Sequence, residues 1–506
     1  MKPMGTITKY YPFIDDESKS ILDSLMEGSS SYYDFVQQLC DVVLEDEVPT
    51  NLAYIAAVQA WWCRLEASMK SIHEKYIDVP WIKPWIYYLG SMQRDQISLH
   101  DAVVHSIEAA IDSSPGDWIE TELHLLHAFF HWPLGDVSSL LEPVEKAKNL
   151  IKTQSLLTCF ESPICAFEGR AKGNEGNTKD SLVVLQKGKE IAEKNDDALY
   201  KYMNMLDEGN TLRCVNAQKA SVVFEELYDL AQELEAPYFI SEVLNDSSIV
   251  FETLGEYDLA ISCQLEILKV IGDLRPSDTL WILLSRVYAT LGDGPQALEW
   301  ISRGLESSKP FESPTMLLLK AGALALMNRI DESERALDAA NRPTIKSGLE
   351  LALGAYYHYS GVIEMKKGNL LTALDSLEHA WEVAERNPSG TNQNRVLFDL
   401  ARVEILIDNQ TLDLTKVAVP GRWLSKLEAL AVECDLPGVR MYAALLKSEF
   451  YRNHGQLIDA QAILADALKI TDSPGVKTLR KKINGRIREL NQFLRNAEVS
   501  STRRNE

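Results

Sequence analysis

Residues 281–307 read WILLSRVYATLGDGPQALEWISRGLES, and small side chains recur among large ones in this stretch. The small residues are Ser285, Gly292, Ala297 and Gly304. Two helices that pack closely need small residues where they cross. Glycine also suits the left-handed conformation that often ends a helix. The stretch therefore predicts two paired helices with a turn at Gly292.

The same pattern recurs along the C-terminal half of the chain. Turn residues stand at Gly255, Gly292, Asn328, Gly368 and Gly455, which are 37, 36, 40 and 87 residues apart. A small residue follows each turn five positions later, and these residues are Ala260, Ala297, Ser333, Ala373 and Ala460. The last separation is long enough for one further, divergent repeat. A single pair of helices cannot bury its apolar face alone, so the repeats are expected to stack.

These repeats resemble the tetratricopeptide repeat (TPR) family, in a long-period form. The unit that begins at Trp281 matches best, and its matching residues are Trp281, Leu284, Tyr288, Gly292, Ala297 and Leu305. The resemblance implies an all-α fold, a right-handed α-solenoid of antiparallel helix pairs. In that family, the first helices of the pairs line a concave groove.

The clarity of the repeat divides the chain into four predicted regions. Residues 1–115 form a divergent N-terminal helical region or cap, rich in aromatic residues. Residues 116–240 hold degenerate TPR-like repeats, with turns expected at Gly135 and Gly176. Residues 241–472 hold the well-defined repeats, interrupted by a long loop at 408–422. Residues 473–506 form a capping helix, with one apolar face, and a tail.

Composition sets limits on location and partners. Acidic residues outnumber basic ones 74 to 51, for a formal charge of −23. Such a charge repels phosphate backbones and anionic lipids, so neither nucleic acid nor membrane is expected as a partner. The seven cysteines are irregularly spaced, which fits a reducing compartment. Because no apolar run resembles a signal or a span, we expect a cytoplasmic protein, with homo-oligomers left open.

Three segments of the sequence have residues that could form a chemical site. His124, His127 and His131 share one helical stripe and could bind a metal, but no fourth ligand is apparent and core packing is the favoured interpretation. The glycines of GRAKGNEGNTKDS lack the Lys-Ser/Thr order of a phosphate loop, so a turn is expected there. The basic residues after Ser473 are expected to form a solvated face. No cofactor, metal or catalytic motif is predicted, and the protein is expected not to be an enzyme.

The predicted function is that of a protein–protein interaction scaffold or adaptor, which binds a peptide or helix of a partner in the concave groove. The resemblance assigns to the groove Asn245, Arg286, His358, Met365, Tyr442, Glu449 and Arg452. For Arg286, an ion pair within the protein, with a residue such as Glu252, is the alternative. Some relatives bind chaperone tails through a Lys and Asn clamp, but here Ile249 replaces its Asn, which disfavours that use.

A second function remains open. The repeats could form a regulatory or sensory protein that binds a small ligand or a signalling partner. Large apolar residues at groove positions and the tryptophans near the N-terminus would permit such a pocket.

Overall fold

The computed structural model describes residues 4–85, 87, 96–113, 116–131, 137–213, 215–272, 278–307, 313–347, 350–386, 390–409 and 421–505. Within these residues the chain is built from helices and contains no strand. The all-α prediction is confirmed. The chain forms two compact units, of which unit 1 comprises 1–212 and 222–243 and unit 2 comprises 213–221 and 244–506.

The first five helices of the chain are arranged irregularly. The helices that follow them, up to the end of unit 1, form pairs. The first five are α1 (Met4–Thr8), α2 (Asp16–Gly28), α3 (Tyr32–Glu45), α4 (Thr50–Trp62) and α5 (Glu66–Lys75). The next eight are α6 (Gln96–Asp112), α7 (Asp117–His131), α8 (Val137–Thr153), α9 (Glu161–Asn174), α10 (Thr178–Lys194), α11 (Ala198–Arg213), α12 (Ala217–Leu234) and α13 (Pro237–Leu254). The boundary between the units falls within α13.

Unit 2 continues with successive helix pairs and a long terminal helix. Its helices are α14 (Tyr257–Ile271), α15 (Asp278–Thr290), α16 (Gly294–Ser307), α17 (Pro314–Leu326), α18 (Ile330–Ser347), α19 (Glu350–Lys367), α20 (Leu370–Arg386), α21 (Gly390–Asn409), α22 (Arg422–Glu433), α23 (Pro437–Asn453), α24 (Leu457–Ala467) and α25 (Lys477–Asn505). The pair α21 and α22 is the divergent repeat expected between the turns at Gly368 and Gly455. Short connections within the other pairs make their two helices antiparallel neighbours.

The predicted turns lie where the sequence places them. Gly255, Gly292, Gly368 and Gly455 all have positive φ, between 73° and 85°, and Asn328 has a φ of 59°. This left-handed conformation ends the first helix of each pair and is tolerated best by glycine and asparagine. Gly176, with a φ of 81°, marks a turn of the same kind in unit 1. The turn expected at Gly135 and most of the 408–422 loop lie outside the described residues.

Small residues do lie at the helix crossings. Ser285 and Ala297 are fully buried, and the Ser285 hydroxyl donates to the Ala297 carbonyl at 2.9 Å. A β-carbon added at Gly304 would lie 2.7 Å from Cβ of Trp281, so only glycine fits against the indole in this arrangement. The preceding pair repeats the contact, with the Ser248 hydroxyl 3.0 Å from the Ala260 carbonyl. These contacts confirm the packing predicted from residues 281–307.

The end of unit 2 differs from the free cap that an open solenoid would have. The apolar face of α25 is buried as predicted, with Leu479, Ile483 and Leu490 fully covered. However, the start of α25 also binds α14, near the beginning of the unit. The backbone N–H and the hydroxyl of Thr478 donate to the Asp258 carboxylate at 2.8 and 2.6 Å. Within unit 2, the last helix therefore holds the beginning of the repeat array.

Candidate ligand groove in unit 2

A cavity of about 390 Å³ lies in unit 2 on the side of the first helices of the pairs. Five helices supply its walls: α15, α17, α19, α21 and α23. Among the residues that the structure describes, none that lines it comes from a second helix of a pair. The main lining residues are Thr290, Leu326, His358, Tyr359, Val362, Met365, Lys366, Arg395, Phe398, Asp399, Arg402, Tyr442, Leu446 and Glu449. We call this cavity the groove.

A hydrogen-bonded network crosses the groove from α19 to α23. Nε2 of His358 lies 2.9 Å from Oδ2 of Asp399, and Nη1 of Arg402 donates to Oδ1 of the same carboxylate at 2.7 Å. The other guanidinium nitrogen of Arg402 donates to the hydroxyl of Tyr442. That hydroxyl lies 3.4 Å from the carbonyl of Thr290. Side chains from three helices and a backbone carbonyl from a fourth are thus fixed in position before any ligand arrives.

Electrostatics fixes the protonation of this network. Burial by itself would raise the pKa of Asp399, but Arg402 and His358 hold that pKa well below its usual value. Burial lowers the pKa of His358, and the hydrogen bond to Asp399 opposes that shift only in part. At neutral pH the imidazole is therefore uncharged, and in the tautomer protonated at Nε2 it donates to the ionised carboxylate.

Two further cationic groups face the groove. Nη2 of Arg395 donates to the hydroxyl of Tyr359 at 2.6 Å. Lys366 is exposed at the edge of the groove. Together with Arg402 they give three cations, against the two carboxylates of Asp399 and Glu449. In a chain with a formal charge of −23, the groove thus has a local excess of positive charge.

The structure brings four of the seven predicted groove residues to the cavity: His358, Met365, Tyr442 and Glu449. The other three do not line it. Asn245 accepts a hydrogen bond from Gln264 at 3.3 Å, and Arg452 lies 3.6 Å from Glu449.

Arg286 is held by another helix of the protein. Its Nε lies 2.9 and 3.0 Å from the two carboxylate oxygens of Glu252, which is buried. This is the intramolecular ion pair that the sequence left open as the alternative to groove binding.

Sequence reasoning missed the contribution of α21. Arg395, Asp399 and Arg402 lie on one face of this helix and supply most of the charge in the groove. Their spacing of four and three residues was a detectable signal, because such residues share a helical face. The divergent repeat lacks a turn glycine in the matching position, so its register could not be assigned and its groove residues could not be identified.

The other segments weighed in the sequence lie elsewhere. His124 and His127 lie on α7, and burial lowers the pKa of each to about 4. In the described part of the chain, no group of three or more His, Cys, Asp and Glu side chains is placed to hold a metal ion. Among the described residues, no helix has both the length and the apolar character required to span a bilayer.

Comparison with known proteins adds little beyond the fold. No protein-family model and no curated protein matches the chain. Among solved structures, it is similar to a Rap protein complexed with Competence and Sporulation Factor, with 13% identity, 66% of this chain and 99% of that chain covered, and a TM-score of 0.42. It is also similar to a human IFIT1 dimer with PPP-AAAA, with 16% identity, 75% and 85% coverage, and a TM-score of 0.42.

A third similar structure is a STAND protein with a tetratricopeptide repeat sensor from Pyrococcus horikoshii, at 12% identity, 65% and 52% coverage, and a TM-score of 0.41. Scores this low identify neither a function nor a ligand for this chain. The repeated helix pairs, their left-handed turns and their small-residue crossings define the class of protein. The chain is a TPR-like helical-repeat protein.

Proposed function

We propose that the protein is a non-enzymatic binding module, and that the groove of unit 2 holds a short segment of a partner protein through an acidic group. The observation that carries this proposal is the convergence of five first helices on one cavity of about 390 Å³ with a preformed polar network. Binding sites combine apolar walls with a few fixed polar groups in this way. Fixing the polar groups in advance also lowers the entropic cost of binding.

The proposed segment is short and extended. A helix with its side chains is about 10–12 Å across, and the groove is already crossed by the contact between Arg402 and Tyr442. The apolar residues Val362, Met365 and Leu446 offer burial beside the charged groups. A few residues of an extended peptide would fill this space. We therefore favour a peptide over the docked helix that the repeat family also permits.

The acidic character of the proposed segment follows from the charges of the groove. Asp399 is already paired with His358 and Arg402, so it offers little attraction to a cation. Lys366 stands exposed at the edge, and its ammonium group is available to a carboxylate that enters there. Arg395 lies deeper and binds the hydroxyl of Tyr359, which leaves guanidinium donors for a second oxygen. These two side chains would orient the segment.

The test is selection of peptides from a random library on the full chain, followed by affinity measurement of the selected peptide. Lys366→Glu is expected to weaken binding by about tenfold or more, since it replaces an attraction by a repulsion. Lys269→Glu makes the same charge change at an exposed site on a second helix and should leave the affinity unchanged. Equal effects of the two variants would refute the groove as the binding site.

A small-ligand sensor is the second candidate, and the volume of the groove favours it. About 390 Å³ falls within the range of about 300–1,000 Å³ typical of small-molecule sites. A screen of small organic anions by thermal shift discriminates between a peptide-binding module and a small-ligand sensor. An anion that raises the melting temperature of the wild type but not of Lys366→Glu, with no peptide selected, would favour the sensor. Single-stranded RNA belongs in the same screen, because the expectation against nucleic acid rests on net charge alone.

A further inference from the structure

A second, smaller cavity lies in unit 1, far along the chain from any residue of the groove. It has a volume of about 30 Å³, and aromatic side chains form much of its wall. Trp61 and Trp85 pack edge to face with ring centroids 5.2 Å apart, and Phe129 meets Trp61 at the same distance. Trp62 and Phe129 are only partly buried, so they form the mouth. We call this cavity the aromatic pocket.

One carboxyl group lines the aromatic pocket. Glu122, on α7, is only 3% exposed. Its Oε1 accepts a hydrogen bond from the hydroxyl of Tyr10 at 2.7 Å, whereas its Oε2 is buried and has no hydrogen-bond partner among the described residues. A buried acceptor without a partner has lost its hydrogen bonds to water and gained none in return, so an atom in this state calls for a donor.

The carboxyl group is oriented by a chain of buried hydrogen bonds. The hydroxyl of Tyr32 donates to Oε1 of Gln59 at 2.7 Å, and Nε2 of Gln59 donates to the Tyr10 hydroxyl at 3.2 Å. Tyr10 then donates to Glu122. Because this chain occupies Oε1, Oε2 is the acceptor open to a ligand, and the buried hydroxyl of Tyr54 is the donor within the protein that competes for it. The arrangement resembles the preorganised polar groups of binding sites rather than a packing accident.

The charges around the pocket favour a cation. Lys9 is the nearby cation, but it is already paired with Asp197 at 2.9 Å. When Glu122 ionises, the three groups carry a net charge of −1. A positively charged donor would both satisfy Oε2 and neutralise the cluster. Aromatic walls also attract cations through the negative faces of their rings.

The size of the pocket selects the kind of cation. A water molecule needs about 10–15 Å³ of cavity measured in this way, so about 30 Å³ accommodates two groups of that size. A primary ammonium with its first methylene fits this space, whereas a quaternary ammonium with three methyl groups does not. We propose that the aromatic pocket binds the primary ammonium group of an alkylamine or a lysine side chain, with Oε2 of Glu122 accepting a hydrogen bond from it and the alkyl chain leaving along the partly exposed rings of Trp62 and Phe129.

The direct test is titration of the full chain with n-butylammonium, followed by calorimetry and by the fluorescence of the pocket tryptophans. Saturable binding is expected, with n-butanol and tetramethylammonium binding at least about tenfold more weakly because one lacks charge and the other lacks N–H donors and exceeds the pocket. The full chain is titrated in the same way with Nα-acetyl-lysine methylamide. Tighter binding of this compound than of butylammonium identifies a lysine side chain as the source of the ammonium group, and weaker binding identifies a free amine.

Two variants on the same helix separate the site from the fold. Glu122→Gln keeps the shape of the side chain and removes its charge, and it should weaken butylammonium binding by about tenfold or more. Glu120→Gln removes a carboxylate that is partly exposed and does not line the pocket, and it should leave the affinity unchanged. Equal affinities of wild type and Glu122→Gln, both folded by circular dichroism, would overturn the proposal.

A pH series on the wild type tests the site without any variant. Burial raises the pKa of Glu122 to about 7, and ammonium binding requires its ionised form. Affinity should therefore rise between about pH 6 and 8, while an alkylamine stays protonated throughout. The titratable and charged groups that interact with Glu122 are Lys9, Tyr10, Tyr54, Cys159, Asp197 and Tyr200. An affinity that is flat over this range, or no saturation by about 10 mM ligand, would mean that the pocket holds water only.

Discussion

The groove of unit 2 and the aromatic pocket of unit 1 each contain a buried carboxyl group, and the two carboxyl groups differ in their hydrogen-bond partners. In the groove, Asp399 shares its oxygens between His358 and Arg402. In the pocket, Glu122 has one oxygen bound by a neutral hydroxyl and the other without a partner among the described residues. Removing a charged partner near the groove should therefore destabilise the fold, whereas removing the charge of Glu122 should not. Removing one partner of a buried ion pair leaves an uncompensated buried charge, which is strongly destabilising.

The largest expected effect tests how unit 2 holds its two ends together. A β-carbon at Gly438 would collide with the backbone carbonyl of Gly255, and backbone cannot move aside as a side chain can. Gly438→Ala should lower stability by more than the about 1–3 kcal/mol typical of overpacking. Gly485→Ala is the matched control, since nothing lies within 4 Å of its added β-carbon. That helical substitution should stabilise slightly, by up to about 1 kcal/mol. Similar melting temperatures for both variants would contradict this close contact between Gly438 and Gly255.

The next effect concerns the paired charges beside the groove. Arg286→Ala leaves the carboxylate of Glu252, of which only 2% of the side chain is exposed, without its partner. We expect a loss of about 3 kcal/mol in the free energy of unfolding, measured by denaturant titration. Arg303→Ala, which removes an exposed ion pair with Glu299, should cost less than about 1 kcal/mol. If Arg286→Ala lowers the free energy of unfolding by no more than Arg303→Ala, the buried ion pair contributes no more to stability than the exposed one.

Packing within one repeat should give a smaller but clear effect. Ala297→Leu inserts a large side chain where Ser285 of the first helix touches the second. Overpacking of a fully buried site should cost about 1–3 kcal/mol, visible as a lower melting temperature. Glu299→Ala, on the exposed face of the same helix, provides the reference. If both variants melt at the same temperature, the crossing is looser than the structure indicates.

The smallest effect has the opposite sign and lies in unit 1. The pKa of Glu122 is raised to about 7, above its unfolded value of about 4.5. Between these values the unfolded state loses its proton first, so stability falls as pH rises and then levels off above about 7. Glu122→Gln removes this penalty. At pH 8.5 without amine, the variant should be more stable than wild type by about 1–2 kcal/mol, and the difference should shrink towards pH 5.

Glu404 in unit 2 has a pKa raised to about 7 as well, so it contributes to the pH dependence of both proteins. The difference between wild type and Glu122→Gln isolates the contribution of Glu122. A difference that does not change with pH would show that Glu122 is ionised in the folded state, as it is in the unfolded state, throughout the range.

The repeat architecture was predictable because it is a local pattern. A turn residue such as Gly292 and a small residue such as Ala297 recur at fixed spacing, and each satisfies a requirement of the helix pair in which it lies. His358 and Tyr442 could be assigned to the groove for the same reason, since the register of a repeat fixes the direction of its side chains. Arg395 could not be assigned because its repeat has no glycine at the expected spacing after Gly368 to set the register.

The partners of charged groups were less predictable than their positions. Nothing in the local sequence of Arg286 distinguishes a groove residue from the partner of Glu252, because the contact joins helices that are 34 residues apart. Glu122 lies in a segment whose most evident sequence feature is its histidines. Only the three-dimensional packing of distant aromatic residues reveals that its carboxyl group is buried. Such groups depend on contacts between elements rather than on periodicity within one.

Hydrogen–deuterium exchange of the full chain, with and without a peptide selected on it, is the most direct test of the proposed groove. Bound peptide should slow exchange in α19 (Glu350–Lys367) and α21 (Gly390–Asn409), whose side chains line the cavity. The second helix α20 (Leu370–Arg386) lies between them in sequence, contributes nothing to the lining, and should change less. Protection confined to second helices or to unit 1 would contradict the account.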